Sequence, residues 1–248
     1  MALTAEAEQL NTVIVQAQSP AVLDVGSDAS QFSLNARQIN SLSVLGEPDL
    51  FRQVQLMPGV SASSENSAGL IIRGGNPEQS LVLFDDFTIY HIDHFYGIYS
   101  AFNAGTIQDV QLYKGGFGAR YGGRINGVLD IIGKQGNREK VSGRVLVNLI
   151  NINGVLEVPV GEKLTLMLAG RRAYTDVIES HLFRRLFNSV EDQLAENSVT
   201  KIFDEPPSFY FYDFNSKLTW RPTDKDVASV SFYSGRDNLQ ANSNLLQQ

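Results

Sequence analysis

Hydrophobic and polar positions follow two rhythms along this chain, and the change falls near residue 136. Before it, apolar residues come in short bursts. Residues 10–18 (LNTVIVQAQ) read as a short β-branched strand behind a polar leader. In residues 46–57 (GEPDLFRQVQLM), Leu50, Val54 and Met57 fall on one face at three- and four-residue spacing, which predicts a helix. Pro48 suits its first turn, Glu47 and Asp49 complement the dipole there, and Pro58-Gly59 stops it. From Gly69 the period shortens. Leu70 to Ile72, Leu81 to Phe84, Val110 to Tyr113 and Val128 to Ile132 are apolar strands separated by Gly, Asn, Pro and Asp. Short helices with several short strands predict a compact α+β unit ending near Gly136.

After Gly136 the segments lengthen and alternate. In Ser208 to Trp220, one face carries Tyr210, Tyr212, Phe214, Leu218 and Trp220, and the other Asp213, Asn215, Lys217 and Thr219. Leu164, Leu166 and Leu168 alternate less strictly with Lys163, Thr165 and Met167. Period two fits either a sandwich strand with one solvated face or a barrel strand with a lipid face and a polar lumen face. The connections are uneven. Val160-Gly161-Glu162 and Arg221 to Lys225 are tight turns, whereas the link from Tyr174 to Ser208 is long. That link predicts its own helix, with Asp176 as cap, Glu179 as capping-box partner and an apolar stripe of Ile178, Leu182, Leu186 and Val190. Outer-membrane barrels alternate short turns and long loops in this way.

Composition narrows the classes. The chain has 248 residues, 43% hydrophobic, 19% charged and with 21 glycines, a turn-rich β composition. A net charge of −7 without a Lys/Arg-rich run argues against nucleic acid. Absence of cysteine removes disulfides, thiolate catalysis and Cys-based zinc. No apolar run reaches the roughly 18 residues of a membrane helix, though β-strands cross with far weaker signals. No leader is evident at Met1 to Gln9, so export implies a signal removed from this sequence. Gly127 to Lys134 has the wrong spacing for a phosphate loop, Asp85-Asp86 would point to opposite faces of a strand, and no Ser-His-Asp arrangement has context. His91 and His94 with Asp93 between them are too sparse for a metal site. No enzyme, cofactor or metal is expected.

Residues 69–134 hold the most specific pattern: Ile72-Arg73-Gly74, then Leu81 to Asp85, then Lys114-Gly115-Gly116 through Ala119-Arg120-Tyr121-Gly122-Gly123 to Gly127-Val128-Leu129-Asp130-Ile131. In this order the motifs resemble the plug of TonB-dependent outer-membrane receptors, most closely those common in Bacteroidetes. Gly170-Arg171-Arg172-Ala173-Tyr174 and Tyr212 to Leu218 resemble the same family's early barrel. Where the family usually has Asp-Gly, this chain has Asp85-Asp86. The pattern of the glycan-importing subclass is absent.

The resemblance implies an α+β plug (short helices, small mixed sheet) followed by antiparallel transmembrane β-barrel strands. The division expected is an N-terminal extension over 1–18, a plug over 19–136 and barrel strands over 141–248. The roughly 110 residues after Gly136 build about five strands, far short of the roughly 22 of a plugged transporter barrel. The implied role is gating the energy-coupled uptake of a siderophore, cobalamin, oligosaccharide or peptide in the outer membrane of a Gram-negative bacterium. TonB of the TonB–ExbB–ExbD system and outer-membrane lipid are the implied partners. Thr12, Val13, Ile14 and Val15 sit where the family keeps its TonB box, a strand-adding peptide. Arg73, Arg120 and Arg124 would form plug–barrel ion pairs, with an intra-plug pair as the alternative for Arg73. Tyr90, His91, His94, Phe95 and Tyr96 would lie on an apex touching substrate. A non-transporting, soluble β-rich binding or signalling domain is the alternative, suggested by the acidic charge and the self-contained look of residues 1–136.

Overall fold

In the computed structural model the residues described are 24–25, 30–41, 43–44, 46–62, 69–95, 97–178, 181, 183–185, 188 and 208–240. The expected strand at 10–18 lies outside them. The first unit is built on a six-stranded sheet of β1 (Asp24–Val25), β2 (Gln31–Asn35), β3 (Ser80–Phe84), β4 (Phe87–Thr88), β5 (Ile107–Tyr113) and β6 (Gly127–Gly133). Its order is β1-β2-β5-β6-β3-β4. The sheet is mixed. β6 runs parallel to β3, with Leu129 opposite Val82, and antiparallel to β5, with Leu129 opposite Leu112. Both faces of β6 are covered, as a nearly continuous apolar strand requires. Leu129 and Ile131 join the main core with Leu34, Ile39, Phe51, Val54 and Phe102, while Val128 packs on the other side with Leu81, Leu83 and Tyr121.

Two short helices, α1 (Ala36–Ile39) and α2 (Leu50–Gln55), contribute to that core. The face of Leu50, Val54 and Met57 is buried as its spacing requires. The helix starts later than expected, however. Asp49 is its N-cap, accepting from Arg52 N at 3.1 Å, while Glu47-Pro48 is extended and pairs with Ser43-Val44. Glu47 does not serve the helix dipole, because a guanidinium from the second unit draws its carboxylate away.

The second unit is a five-stranded antiparallel sheet of consecutive neighbours: β7 (Ser142–Val147), β8 (Asn151–Val160), β9 (Leu164–Ala173), β10 (Ser208–Trp220) and β11 (Ala228–Gln240). β10 pairs along its whole length with β11, from Ser208 opposite Gln240 to Trp220 opposite Ala228. The alternation in β10 is realised. Phe209, Phe211, Asp213, Asn215, Lys217 and Thr219 are buried against the first unit, and Tyr212, Phe214, Leu218 and Trp220 are exposed on the far side. In the long link, residues 181, 183–185 and 188 are helical. The Asp176 carboxylate bonds Arg172 Nη2 at 2.7 Å, in a turn closed by Tyr174 O, and Glu179, Leu182, Leu186 and Val190 of the expected cap and stripe lie outside the described residues. Among the described residues no helix is long and apolar enough to cross a membrane.

Candidate functional site: the seam between the two sheets

The inward face of β8 to β11 carries polar and charged side chains where a soluble sandwich would carry a dry core. Burying a charge is costly unless it is paired and hydrogen-bonded, so the partners matter. Arg171 of β9 is buried between two carboxylates. Its Nη1 donates to Glu47 Oε1 at 2.7 Å, Nε to Asp213 Oδ2 at 2.8 Å and Nη2 to Ser100 O at 2.7 Å. The planar fork satisfies three groups on three elements, which a lysine could not do. Glu47 Oε2 also accepts from Asn151 Nδ2 at 2.6 Å, and Asn103 Nδ2 donates to Asn153 Oδ1 at 2.9 Å.

Nearer the end of the sheet that carries the tight β8–β9 and β10–β11 turns, Lys217 Nζ meets Asp85 Oδ1 at 2.7 Å. Asp85 also accepts from Gly133 N at 2.9 Å and Ser231 Oγ at 2.6 Å. The linker is tied down as well: Thr165 Oγ1 donates to Gln135 O, and Arg221 Nη2 to Gln135 Oε1. The two units approach closely at Gly105, where a Cβ would lie 2.8 Å from Val155 Cγ2 and from Arg144 Nη2. Only glycine fits there.

The loop after β4 closes the other end of the seam. Phe95 stacks near Phe209 and Phe183, with centroids 4.5 and 5.4 Å apart. Phe95, Ile98 and Tyr99 form one buried cluster with Ile150, Phe209 and Phe211 of the wall. Ser100 N donates to Asp49 Oδ2 at 3.0 Å, so the N-cap of α2 also anchors this loop. Burial pushes the Asp49 carboxyl above the usual range, partly opposed by the Arg52 and Ser100 amides.

The residues singled out from the sequence fall in different places. Thr12 to Val15 and Tyr96 lie outside the described residues. Tyr90 and His91 are exposed and line a cleft of about 370 Å³ with Arg124, Glu78, Thr88 and Asp93. His94 and Phe95 turn instead into the wall and are buried. The loop's aromatic character serves packing here, because Phe95 at φ +52 is directed onto Phe209. Arg120 pairs with Asp130 of β6 at 2.8 Å, within the first unit. Among the described residues Arg73 and Arg124 make no ion pair. In the Arg171–Glu47 and Lys217–Asp85 pairs the polarity is therefore the reverse of the expected one: strands of the second sheet supply the cations and the first unit supplies a carboxylate to each, while Asp213 adds a carboxylate from the sheet itself. Two signals in the sequence pointed that way. Lys217 stands on the polar face of an alternating strand, and Arg171 and Arg172 must point to opposite faces.

Such a plug of mixed sheet seated on the polar face of an antiparallel wall is the architecture of plugged outer-membrane barrels. The ferric enterobactin receptor PfeA of Pseudomonas aeruginosa, solved with enterobactin, superposes with TM-score 0.57 at 18% identity over 85% of this chain and 33% of its own. The siderophore receptor PirA of Acinetobacter baumannii gives 0.59 at 20% over 87% and 32%. The outer membrane transporter YddB of Escherichia coli gives 0.56 at 14% over 86% and 34%. The chain thus spans about a third of these structures' length. No curated protein sequence matches it. Residues 24–128 match the family model of the TonB-dependent Receptor Plug Domain. The strands after them have the fold of the barrel in these structures.

Proposed function

We propose that this chain is the plug-bearing part of a TonB-dependent transporter in the outer membrane of a Gram-negative bacterium. In this reading residues 1–18 are an N-terminal extension, 19–136 the plug and 141–248 the first barrel strands, the rest of the barrel being supplied by further strands. The observation that carries it is the two-faced wall. Charges on its inner face are neutralised by the plug through Arg171–Glu47 and Lys217–Asp85. Its outer face exposes Ile152, Leu156, Phe214, Leu218, Trp220 and Phe232, a lipid-facing band. The same band speaks against the soluble binding or signalling domain, for which it would be an aggregation surface.

The cargo is a scarce nutrient of the siderophore, cobalamin, oligosaccharide or peptide kind, and neighbours named as siderophore receptors favour the first. Tyr90 and His91, exposed on the loop after β4, are read as the residues that touch it. The role is transport without catalysis, cofactor or nucleic acid. Thr12, Val13, Ile14 and Val15 are read as the segment that adds a strand to TonB of the TonB–ExbB–ExbD system. Capture of the complete protein on an immobilised TonB C-terminal domain is expected to be lost when residues 10–16 are deleted. Undiminished capture refutes the box, and recovery of the untagged complete protein in the cytosol refutes the transporter.

A further inference from the structure

His94 meets two wall strands at once. Its ring is buried and lies flat on Phe211, with centroids 4.3 Å apart and planes 10° from parallel. Nδ1 is 2.5 Å from Asp237 Oδ1 of β11, and Nε2 is 3.4 Å from Asp213 Oδ2 of β10. The first is a short hydrogen bond. The second is an ionic approach near the limit of hydrogen bonding, and Nε2 has no other partner among the described residues. Beyond Asp213 stands Arg171 of β9, which shares the same Oδ2 at 2.7 Å, and beyond Arg171 stands Glu47. His91 Nε2 is 3.7 Å from Asp237 Oδ2, and Asp93 lies on the same loop. The phenols of Tyr99 and Tyr233 complete the surroundings, the latter donating to Ala101 O at 3.0 Å.

A neutral imidazole has one N–H, and a ring held between two carboxylates needs two. Without the second proton, a nitrogen lone pair faces a carboxylate oxygen inside a buried seam. The charge balance points the same way. Glu47, Asp213 and Asp237 face Arg171 and His94, so a neutral His94 leaves three carboxylates to one guanidinium. We propose that His94 is a proton-operated latch between the plug loop and strands β10 and β11. With both nitrogens protonated it fastens residues 92–95 and 97–101 to the wall, and losing one proton releases them.

Burial alone would weaken the ring's hold on its proton. The bonds to Asp213 and Asp237 outweigh that effect, and the His94 pKa lies above the ordinary histidine value. Because the attached loop binds the proton more tightly than a detached one, attachment is complete below the ordinary histidine range. It is lost as pH rises through the raised value. The latch concerns the protein's own cohesion and does not depend on which nutrient passes, or on transport at all.

The test is amide hydrogen exchange of the complete receptor chain in lipid, corrected for the intrinsic pH dependence of exchange. Protection of residues 92–95 and 97–101 is expected to fall several-fold, by about threefold or more, as pH rises from about 6 to about 9, because the proton that holds the loop is lost over that range. Residues 164–173 and 208–220 should hold their protection and report an intact wall. His94→Gln, which has a donor but no titration, should flatten the profile, and Asp237→Asn should move the fall to lower pH by about one unit. Equal protection of wild type at both pH values overturns the latch. So does a fall of the same size in His94→Gln. If that variant does not fold, the wild-type and Asp237→Asn profiles still decide.

Discussion

Asp85 and Asp86 show how a single residue can be strained in one respect and indispensable in another. They form the two-residue turn between β3 and β4, with φ at +47° and +71°. Two positive φ values are the mark of a type I′ turn, where Gly is favoured and Asp is tolerated. Asp85 is held by Gly133 N, Lys217 Nζ and Ser231 Oγ. Asp86 is exposed and makes no hydrogen bond among the described residues. The two positions should therefore respond to glycine with opposite signs. Asp86→Gly removes only backbone strain and should stabilise the plug by about 0.5–1 kcal/mol. Asp85→Gly relieves similar strain but leaves the buried Lys217 ammonium unpaired, at a net loss of about 3 kcal/mol. Urea unfolding of the plug within the complete receptor, followed by tryptophan-free probes such as proteolytic nicking, separates the two outcomes.

At the scale of a strand, the question is what the far face of β10 meets. Phe214 faces out beside Phe232, with ring centroids 6.2 Å apart. If that face meets lipid, Phe214→Arg should cost about 2–4 kcal/mol of folding into a bilayer near its midplane, measured by denaturant titration of folding into vesicles. On a water-facing sheet the same change would be close to neutral. Alternation in β10 was legible because strands repeat every two residues whatever they pack against. The α2 face was legible for the same kind of reason: Leu50, Val54 and Met57 keep the helical spacing. Its start was not, because Glu47 is held by Arg171, 124 residues away along the chain. The seam pairs share that difficulty. A sequence shows that Arg171 and Lys217 sit on strands, but not which distant carboxylates reach them. Arg73, Arg120 and Arg124 stood out in a glycine-rich stretch, while the two buried cations lay in alternating strand segments.

The whole molecule is fastened at two separate heights. Lys217 is four residues from Asp213 along β10, about 13 Å at about 3.3 Å per residue, so the Arg171 and Lys217 clamps share no partner. Each is worth little as a net contribution, since charges pay heavily to leave water, yet removing one cation strands carboxylates in a buried seam. Separation of this size makes their effects nearly additive. Arg171→Met should raise hydrogen exchange around residues 47–55 and 98–103 and leave residues 80–88 and 127–133 protected. Lys217→Met should do the reverse. Only the double variant should expose the six-stranded sheet throughout, because either clamp alone keeps the plug seated. If one single variant already released every plug segment, the plug would be a cooperative unit held at one point. The second clamp would then contribute specificity of seating and not retention. Local loss in both singles, followed by global loss in the double, means that opening the plug requires two independent releases.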